Sequence, residues 1–383
     1  MLTAALSACT QLLPPSGYAG NLYAATNSAT GNAVVHYGRG ADGKLTRLET
    51  TATGGNGTGS KVITDLTTDA VDPLFSNDSV FLSPDHTRLF AVNAASNTVS
   101  SFTVGAGGAL TLVGSYASGG TLPNSLAVSG SLLYVGHGKA AGGVQITGFK
   151  IAADGSLSAI AGAKYAPSGE TLGTQVLFSP DGKLLEFSEL MTGKVTLFPV
   201  NTDGTLGTPV YNMGAAPGPF GAAFLGSKLF VSEVHPGAMN VGSVSSYTVA
   251  ATGALTSITG NVSNGQNATC WLTLTPDGKY LYASNTSSSN VSVYSVVEGG
   301  GLKLVSASQA YRAPQGTKDF MGNPASGPVD AVVSADGKYF YQQFSGLGLV
   351  AAYSIGADGL LTPVANGDGS GLPLLGTEGL AGY

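Results

Sequence analysis

Short stretches in which apolar and polar residues alternate recur along the whole chain. Alternation with a period of two places successive side chains on opposite faces, so each stretch predicts a half-buried β-strand. Each stretch is followed by a turn with the pattern Gly-x-Leu, and the seven turns are spaced by 47 to 65 residues. The stretches cover residues 33–37, 98–104, 144–149, 194–200, 243–249, 290–296 and 349–355. A recurrence of this length predicts a repeat protein.

A second signature precedes the alternating stretches and predicts two further strands joined by a tight turn. In this turn Pro fixes φ at the first corner, Asp caps the turn with its side chain, and Gly accepts the positive φ that follows. The clearest copies cover residues 80–85, 176–181, 272–277 and 332–336, and degenerate copies cover 126–135 and 222–231. Each repeat therefore predicts four antiparallel strands, which is the signature of a propeller blade.

The two ends of the chain predict how the ring of blades closes. The first repeat begins at residues 21–26, which match a second strand, so its innermost strand is missing. Residues 377–383 have no repeat of their own and match an innermost strand. Pairing the two segments removes the exposed strand edge that an open array would leave. We therefore expect an all-β, seven-bladed β-propeller over residues 20–383, closed by its C-terminal strand, after a leader at residues 1–19.

The hairpin and the strands around it resemble those of a known family. Residues 275–294 contain Thr-Pro-Asp-Gly, Leu-Tyr-Ala-Ser-Asn and Val-Ser-Val-Tyr in that order, which is typical of lactonase-type seven-bladed propellers. Residues 27–35, 268–271 and 376–383 make the chain similar to the secreted, Gly-rich branch of that family. The family contains bacterial 6-phosphogluconolactonases and fungal carboxymuconate cyclases, so the resemblance implies lactone hydrolysis or the reverse ring closure. Its sugar lactonases carry a His-x-His pair before one innermost strand, whereas the matching residues 173–176 contain no His.

Composition narrows the classes of partner. Charged residues make up only 10% of the 383 residues, and the formal net charge is −6. The sequence has no basic run that could neutralise nucleic-acid phosphates, so we expect no nucleic-acid partner. It also has no stretch that approaches the roughly 20 apolar residues of a membrane-spanning helix. No His, Cys and Asp spacing resembles a zinc site, so we expect no metal. We also expect no cofactor, and we expect the protein to be a monomer.

The first ten residues favour export. They read MLTAALSACT, which is small, apolar and uncharged like the end of a secretory signal. Residues 6–9 also resemble a bacterial lipobox, in which Cys9 would be lipidated, and an ordinary flexible terminus is the third alternative. Cys9 and Cys270 are the only two cysteines, which excludes a disulfide framework. We expect a secreted or periplasmic protein.

Three titratable residues are candidates for catalysis because they follow predicted second strands. Loops that leave second strands meet loops that enter innermost strands at one mouth of a propeller channel, where ligands usually bind. Glu233 and His235 lie two residues apart, so a β-like segment would direct both side chains to one face. Such a pair suits lactone chemistry, in which a base activates water and an acid protonates the leaving alkoxide. Glu189 is the equivalent acid one blade earlier, and the alternative for all three is a solvated loop residue.

Five further residues are candidates for substrate binding at the same mouth. They are Gln175, His137, Asn124, Trp271 and Cys270. A nucleophilic Cys270 would need a nearby base, and Trp271 could stack on a sugar or another ring, while the alternative for both is ordinary core packing. The other polar or aromatic residues predicted at this mouth are Asp72, Phe220, Asp330, Glu378, Asn93 and Asn285.

Two functions remain open on the sequence. The first is an exported lactonase, a hydrolase, or a cyclase-like isomerase that acts on a small lactone. Only 16 basic residues are present, and several of them occupy outer hairpins, so an unphosphorylated substrate is expected. The second is a non-catalytic propeller that binds a glycan or a protein at the channel mouth.

Overall fold

The structure is a computed structural model that describes residues 17–140, 143, 145–167 and 171–383. Its strands form seven antiparallel sheets arranged as the blades of a propeller, which confirms the predicted fold class. Each blade has four main strands, and the two-residue strand Lys139–Ala140 pairs as a fifth with the start of Thr171–Phe178. We number the blades along the chain and the strands of each blade from the channel outward. The strands are, in blade 1, Leu380–Gly382, Gly20–Ala25, Ala33–Arg39 and Leu45–Ala52; in blade 2, Val80–Leu82, Arg88–Asn93, Thr98–Val104 and Leu110–Ala117; in blade 3, Pro123–Ser129, Leu132–His137, Ile146–Ile151 and Leu157–Tyr165; in blade 4, Thr171–Phe178, Leu184–Glu189, Lys194–Pro199 and Val210–Met213; in blade 5, Pro219–Leu225, Lys228–Glu233, Ser243–Val249 and Leu255–Ser263; in blade 6, Thr269–Leu274, Tyr280–Asn285, Asn290–Val296 and Leu302–Gln309; and in blade 7, Pro328–Val333, Tyr339–Phe344, Leu349–Ile355 and Leu361–Pro363.

The predicted closure of the ring is confirmed. The C-terminal strand Leu380–Gly382 pairs antiparallel with Gly20–Ala25, with Leu22 opposite Gly382. The Thr377 hydroxyl donates to the carbonyl of Ala25 at 2.6 Å, which extends the junction beyond the strand. The first and last segments of the chain therefore complete one blade together.

The turn of the repeated hairpin has the conformation that its sequence predicts. In blade 4 the Ser179 hydroxyl donates to Asp181 Oδ1 at 2.7 Å, and Gly182 has a φ of 70°. The same turn in blade 2 has His86 in the glycine position at a φ of 57°, and its ring stacks on Tyr383 with centroids 4.0 Å apart. The stacking ties this hairpin to the strand that closes the ring.

The predicted boundaries need two adjustments. The strand predicted over residues 144–149 lies at Ile146–Ile151, and residue 144 is outside the described residues. Most of the predicted leader, residues 1–16, is also outside them, so export and lipidation of Cys9 stay predictions. The end of that leader already contacts blade 1, because the backbone N–H of Ala19 donates to the Arg39 carbonyl at 2.6 Å.

Within the described residues, no helix has the length and apolar character needed to cross a membrane.

One connection in the ring is much longer than a hairpin and packs as part of the core. Residues 53–79 join the outermost strand of blade 1 to the innermost strand of blade 2, and we call them the cap segment. Leu74 and Phe75 of this segment belong to a buried apolar cluster with Phe220, Trp271 and Val329, which lie on the innermost strands of blades 5, 6 and 7. The cap segment therefore lies across the end of the channel at which the innermost strands begin.

Candidate active site in the channel

Burial along the innermost strands shows which end of the channel is open. In blades 6 and 7 the first three residues of Thr269–Leu274 and Pro328–Val333 are buried, and the last three are partly exposed. The innermost strand of blade 5 changes in the same direction. Because the cap segment covers the ends at which these strands begin, solvent enters the channel where they finish.

A cavity of about 280 Å³ lies in the channel between the cap segment and the open end. Its walls are the innermost strands of blades 4 to 7, together with Leu380 of the closing strand and the last residues of the cap segment. Six of the residues that line it can donate or accept hydrogen bonds through their side chains. They are Asn77, Asp78, Gln175, Trp271, Thr273 and Asp330. The cavity therefore unites two of the predicted binding residues, Gln175 and Trp271, with two carboxyl groups.

The two carboxyl groups are held by the protein around them. Asp330 accepts hydrogen bonds from the backbone N–H of Asp78 at 3.2 Å and of Gly379 at 2.9 Å. Gln175 donates from Nε2 to Asp78 Oδ2 at 2.7 Å, and its Oε1 accepts from the backbone N–H of Ala222 at 2.5 Å. Gln175 is thus fixed at both ends of its amide and holds the Asp78 carboxyl in one orientation.

The surroundings of the two carboxyl groups shift their pKa values by different amounts. Burial raises the pKa of Asp78 to about 6, and the hydrogen bond from Gln175 offsets part of that rise. Burial and then the nearby charge of Asp78 raise the pKa of Asp330 well above its ordinary value, against the opposing effect of the two backbone N–H donors. Asp330 is 4% exposed, whereas Asp78 keeps partial exposure to the cavity. Burial therefore raises both pKa values, and Asp330, which is the more deeply buried and lies beside the charge of Asp78, is the better placed of the two to keep a proton.

Two residues that line the cavity carry buried donors with no hydrogen-bond partner among the described residues. These donors are Nδ2 of Asn77 and Nε1 of Trp271, in residues that are 4% and 2% exposed. A buried polar group without a partner costs about 1–3 kcal/mol, so native proteins rarely leave one without a ligand or water. Both groups can donate to an oxygen atom of a molecule in the cavity.

Two further buried acids, Glu378 and Asp72, lie at the capped end and accept hydrogen bonds from the cap segment. Glu378 accepts hydrogen bonds from the backbone N–H of Leu74 at 2.9 Å and from the Ser76 hydroxyl at 2.8 Å. Asp72 accepts from the backbone N–H of Phe75 at 2.9 Å. Glu378 thus fastens the cap segment to the chain just before the closing strand, and Asp72 holds a turn within the cap segment.

Cys270 lies in the same buried region and is held as a thiol. The side chain is 2% exposed, and burial raises its pKa well above the ordinary value, with the charge of Asp72 adding to the rise. A thiolate is the nucleophilic form of cysteine, so this environment opposes nucleophilic chemistry.

Glu233 and His235 are brought together by a hydroxyl group. The Ser243 hydroxyl donates to Glu233 Oε2 at 2.7 Å and lies 2.9 Å from His235 Nε2. Glu233 shares its strand face with Val231, which packs into the core between blades 4 and 5. Burial raises the pKa of Glu233 to about 7, against the hydrogen bonds of two serine hydroxyls. The pair lies at the capped end and does not line the channel cavity.

Glu189 occupies the equivalent position of blade 4 but faces a different space. Its Oε1 accepts from the Thr196 hydroxyl at 2.7 Å, and its Oε2 accepts from the Thr192 hydroxyl at 3.1 Å. Phe187, on the same strand face, packs into the core between blades 3 and 4. The sheet of blade 4 therefore separates Glu189 from Glu233, and the structure does not bring the two carboxylates to one site.

His137 and Asn124 join neighbouring elements at the capped end. His137 is fully buried, and its Nε2 lies 3.1 Å from the Ser118 hydroxyl, while burial lowers the pKa of its ring to about 4. Asn124 donates from Nδ2 to the carbonyl of Gly173 in blade 4 at 2.8 Å. Both side chains hold adjacent parts of the ring together, outside the channel cavity.

Sequence reasoning missed Asp78 and Asn77 as site residues. Both belong to the cap segment, which carries no repeat and no strand pattern. The available signal was their position, since a run of polar residues, Asn77-Asp78-Ser79, directly precedes an innermost strand. Asp330 was predicted at the mouth but was not chosen as a catalytic residue.

Comparisons with known proteins agree with this architecture. Residues 225–371 match the model of the family described as Lactonase, 7-bladed beta-propeller. The structure of the periplasmic gluconolactonase PpgL of Pseudomonas aeruginosa is 17% identical, with a TM-score of 0.70 over 95% of this chain and 99% of that chain. A structure from Bacteroides fragilis, provisionally described as a 6-phosphogluconolactonase, is 21% identical, with a TM-score of 0.68 over 95% and 98%. At these identities the similarity shows a shared fold. No curated protein has significant sequence similarity to the chain.

Proposed function

We propose that this chain is a lactonase-type seven-bladed β-propeller whose channel cavity hydrolyses a small lactone. The observation that carries the proposal is the pair Asp78 and Asp330, two carboxyl groups with raised pKa values that line one cavity. Two carboxyl groups in unlike surroundings are the usual arrangement for a base and an acid that work together. The family match favours lactone chemistry for such a pair.

Each polar group of the cavity has a role in this reaction. The Asp78 carboxylate removes a proton from water, and the water oxygen attacks the lactone carbonyl carbon. Trp271 Nε1 and Asn77 Nδ2 donate hydrogen bonds to the carbonyl oxygen as it gains negative charge. When the bond between the carbonyl carbon and the ring oxygen breaks, Asp330 donates its proton to that oxygen, which becomes the hydroxyl of the product. A net proton transfer from Asp78 to Asp330 then restores the starting state.

The charges around the cavity favour an uncharged substrate. Neither Lys nor Arg is among the described residues that line it, and two carboxyl groups are. A phosphate or a carboxylate on the substrate would need converging cationic donors and would be repelled by the Asp78 carboxylate. We therefore propose that the substrate carries no phosphate.

Replacing each carboxyl group by its amide tests the assignment. Asp78→Asn and Asp330→Asn keep the shape of the side chains and remove their proton transfer, so each should lower kcat/KM by about 10²–10⁴-fold. The assay measures acid release from a panel of neutral lactones with a pH indicator, and thermal unfolding checks that each variant is folded.

Glu233→Gln is the matched control for these two variants. It changes a buried carboxyl group with a raised pKa that does not line the cavity. Unchanged hydrolysis in Asp78→Asn would remove the cavity from the mechanism. A large loss of activity confined to Glu233→Gln would assign the acid–base chemistry to Glu233 and His235 instead.

A further inference from the structure

Asp330 lies on the innermost strand of blade 7, but its carboxyl group is held by two other segments of the chain. The backbone N–H of Asp78, at the end of the cap segment, donates to Asp330 Oδ1 at 3.2 Å. The backbone N–H of Gly379, just before the closing strand, donates to Asp330 Oδ2 at 2.9 Å. The orientation of this carboxyl group is therefore set from outside its own blade.

Gly379 also connects Asp330 to the junction that closes the ring. Its carbonyl accepts from the backbone N–H of Ala25, the last residue of the second strand of blade 1, at 2.9 Å. The closing strand Leu380–Gly382 follows Gly379 directly and pairs with the same strand of blade 1. The N–H group that holds Asp330 is thus in place only when the C-terminal segment is paired with blade 1.

The backbone of Gly379 has a conformation that residues with a side chain rarely adopt. Its φ is 108°, a positive value that favours glycine. A Cβ atom at this position would lie 2.5 Å from Ser79 Oγ and 2.8 Å from Val80 Cγ2. A side chain would therefore push residue 379 away from Ser79 and Val80, and with it the N–H group that faces Asp330.

The other groups around Asp330 are carboxyl groups. Burial and then the charge of Asp78 raise the pKa of Asp330, and Asp72 has a smaller effect in the same direction. Glu378, whose own pKa is raised by burial and by the charges of Asp72 and Asp330, completes the group. The N–H groups of Asp78 and Gly379 oppose this rise, so loss of the Gly379 donor should raise the pKa of Asp330 further.

We propose that Gly379 is a positioning residue for Asp330, so that the site acquires its acid only when the C-terminal segment closes the ring. The part of Asp330 in proton transfer rests on the function proposed above. The positioning rests on the hydrogen bond, the conformation of Gly379 and its pairing with blade 1.

Gly379→Ala tests the proposal through activity. The variant should lower kcat/KM for neutral lactones by about 10–100-fold, because a small displacement of a reacting group can cost about 10²-fold. The decrease of kcat/KM at alkaline pH, where Asp330 loses its proton, should also move to higher pH. A loss of activity with an unchanged pH dependence, or no loss at all, would overturn the positioning role.

Gly371→Ala is the matched control for alanine at a positive φ. Gly371 has a φ of 97° and lies in the same connection between blade 7 and the closing strand. A Cβ atom there would first meet the side chain of Arg47, which can move, at 3.0 Å. Activity and its pH dependence should stay unchanged in this variant, and thermal unfolding compares the stability of the two variants.

Ser79→Ala provides a second variant in case Gly379→Ala folds poorly. Ser79 Oγ is buried and has no hydrogen-bond partner among the described residues, so Ser79→Ala alone should leave activity unchanged. Combined with Gly379→Ala, it removes the atom nearest to the new Cβ and should restore part of the lost activity. A double variant no more active than Gly379→Ala would contradict the displacement of residue 379 as the cause.

Carbon-13 NMR of the aspartate carboxyl groups gives a measurement that does not need activity. The signal of Asp330 is the one missing from Asp330→Asn, and its titration should move to higher pH in Gly379→Ala. If it moves but no lactone is hydrolysed, the proposed function is wrong and the positioning role stands. If lactones are hydrolysed but the titration of Asp330 is unchanged, the positioning role is wrong and the proposed function stands.

Discussion

The two ends of the channel are built from the same strands and have opposite properties. At the capped end, Leu74 and Phe75 fill the space between the innermost strands and join a continuous apolar cluster. At the open end, the same strands finish in partly exposed residues around a cavity. The repeat sets the ring and the width of the channel, and the longest connection between blades, residues 53–79, covers one of its two ends.

The buried acids at the two ends differ in the partners that they have. Beneath the cap segment, Glu378 accepts hydrogen bonds from Leu74 and Ser76, and Asp72 accepts from Phe75, so these carboxyl groups hold chain segments together. Asp78 and Asp330 also accept hydrogen bonds from the protein, but they line a cavity together with two residues whose buried donors have no partner among the described residues. Burial raises the pKa in both places, so a raised pKa alone does not identify a catalytic group.

The largest expected difference between the two ends is in the free energy of unfolding that is lost when a leucine side chain is truncated. Leu74→Ala at the capped end should destabilise the protein by about 2–5 kcal/mol, because Leu74 is 1% exposed and its loss leaves a cavity in the core. Leu274→Ala at the open end should cost clearly less, since that side chain is already partly exposed. Chemical denaturation followed by circular dichroism measures both. Equal losses of stability would mean that the cap segment is not part of the folded core.

The buried acids of the capped end should make stability depend on pH. Burial raises the pKa of Asp72 to about 7, and burial with the charges of Asp72 and Asp330 raises the pKa of Glu378 well above its ordinary value. The folded state therefore binds these protons more tightly than the unfolded state, in which the carboxyl groups titrate near pH 4. Their contribution is fully present below pH 4 and is lost as pH rises towards 7, with a slope of up to about 1.4 kcal/mol per pH unit for each group.

Asp72→Asn tests this dependence without removing the acceptor for the Phe75 N–H group. The free energy of unfolding should fall less between pH 5 and pH 7 in this variant than in the unmodified protein. Asp277→Asn is the control, because hydrogen bonds hold the pKa of Asp277 at about 2, so its contribution is constant between pH 5 and pH 7 and is lost only as pH falls below about 4. Identical slopes in the Asp72→Asn variant and the unmodified protein would show that Asp72 does not retain its proton in the folded state.

The sequence predicted the ring far better than the site, for a physical reason. Turn residues such as Pro180, Asp181 and Gly182 act locally, and the closing strand matched a repeat position, so both were visible in the pattern. Gln175 and Trp271 were found because they lie on repeated innermost strands. Asp78 was not found, because it reaches the channel only through the packing of the cap segment. Long-range packing of this kind leaves no period in the sequence.

The smallest expected effect concerns Gln175, which positions Asp78 and is not itself a catalytic residue. Its hydrogen bond to Asp78 Oδ2 lowers the pKa of that carboxyl group, so Gln175→Met should raise it. In the proposed mechanism Asp78 acts as a base only when ionised, so kcat/KM of the unmodified protein should rise with pH around pH 6. In the variant this rise should move to higher pH, and activity at pH 8 should change less than activity at pH 6. A uniform loss of activity at every pH would instead indicate a structural effect. An unchanged pH profile would show that Gln175 does not influence the pKa of Asp78.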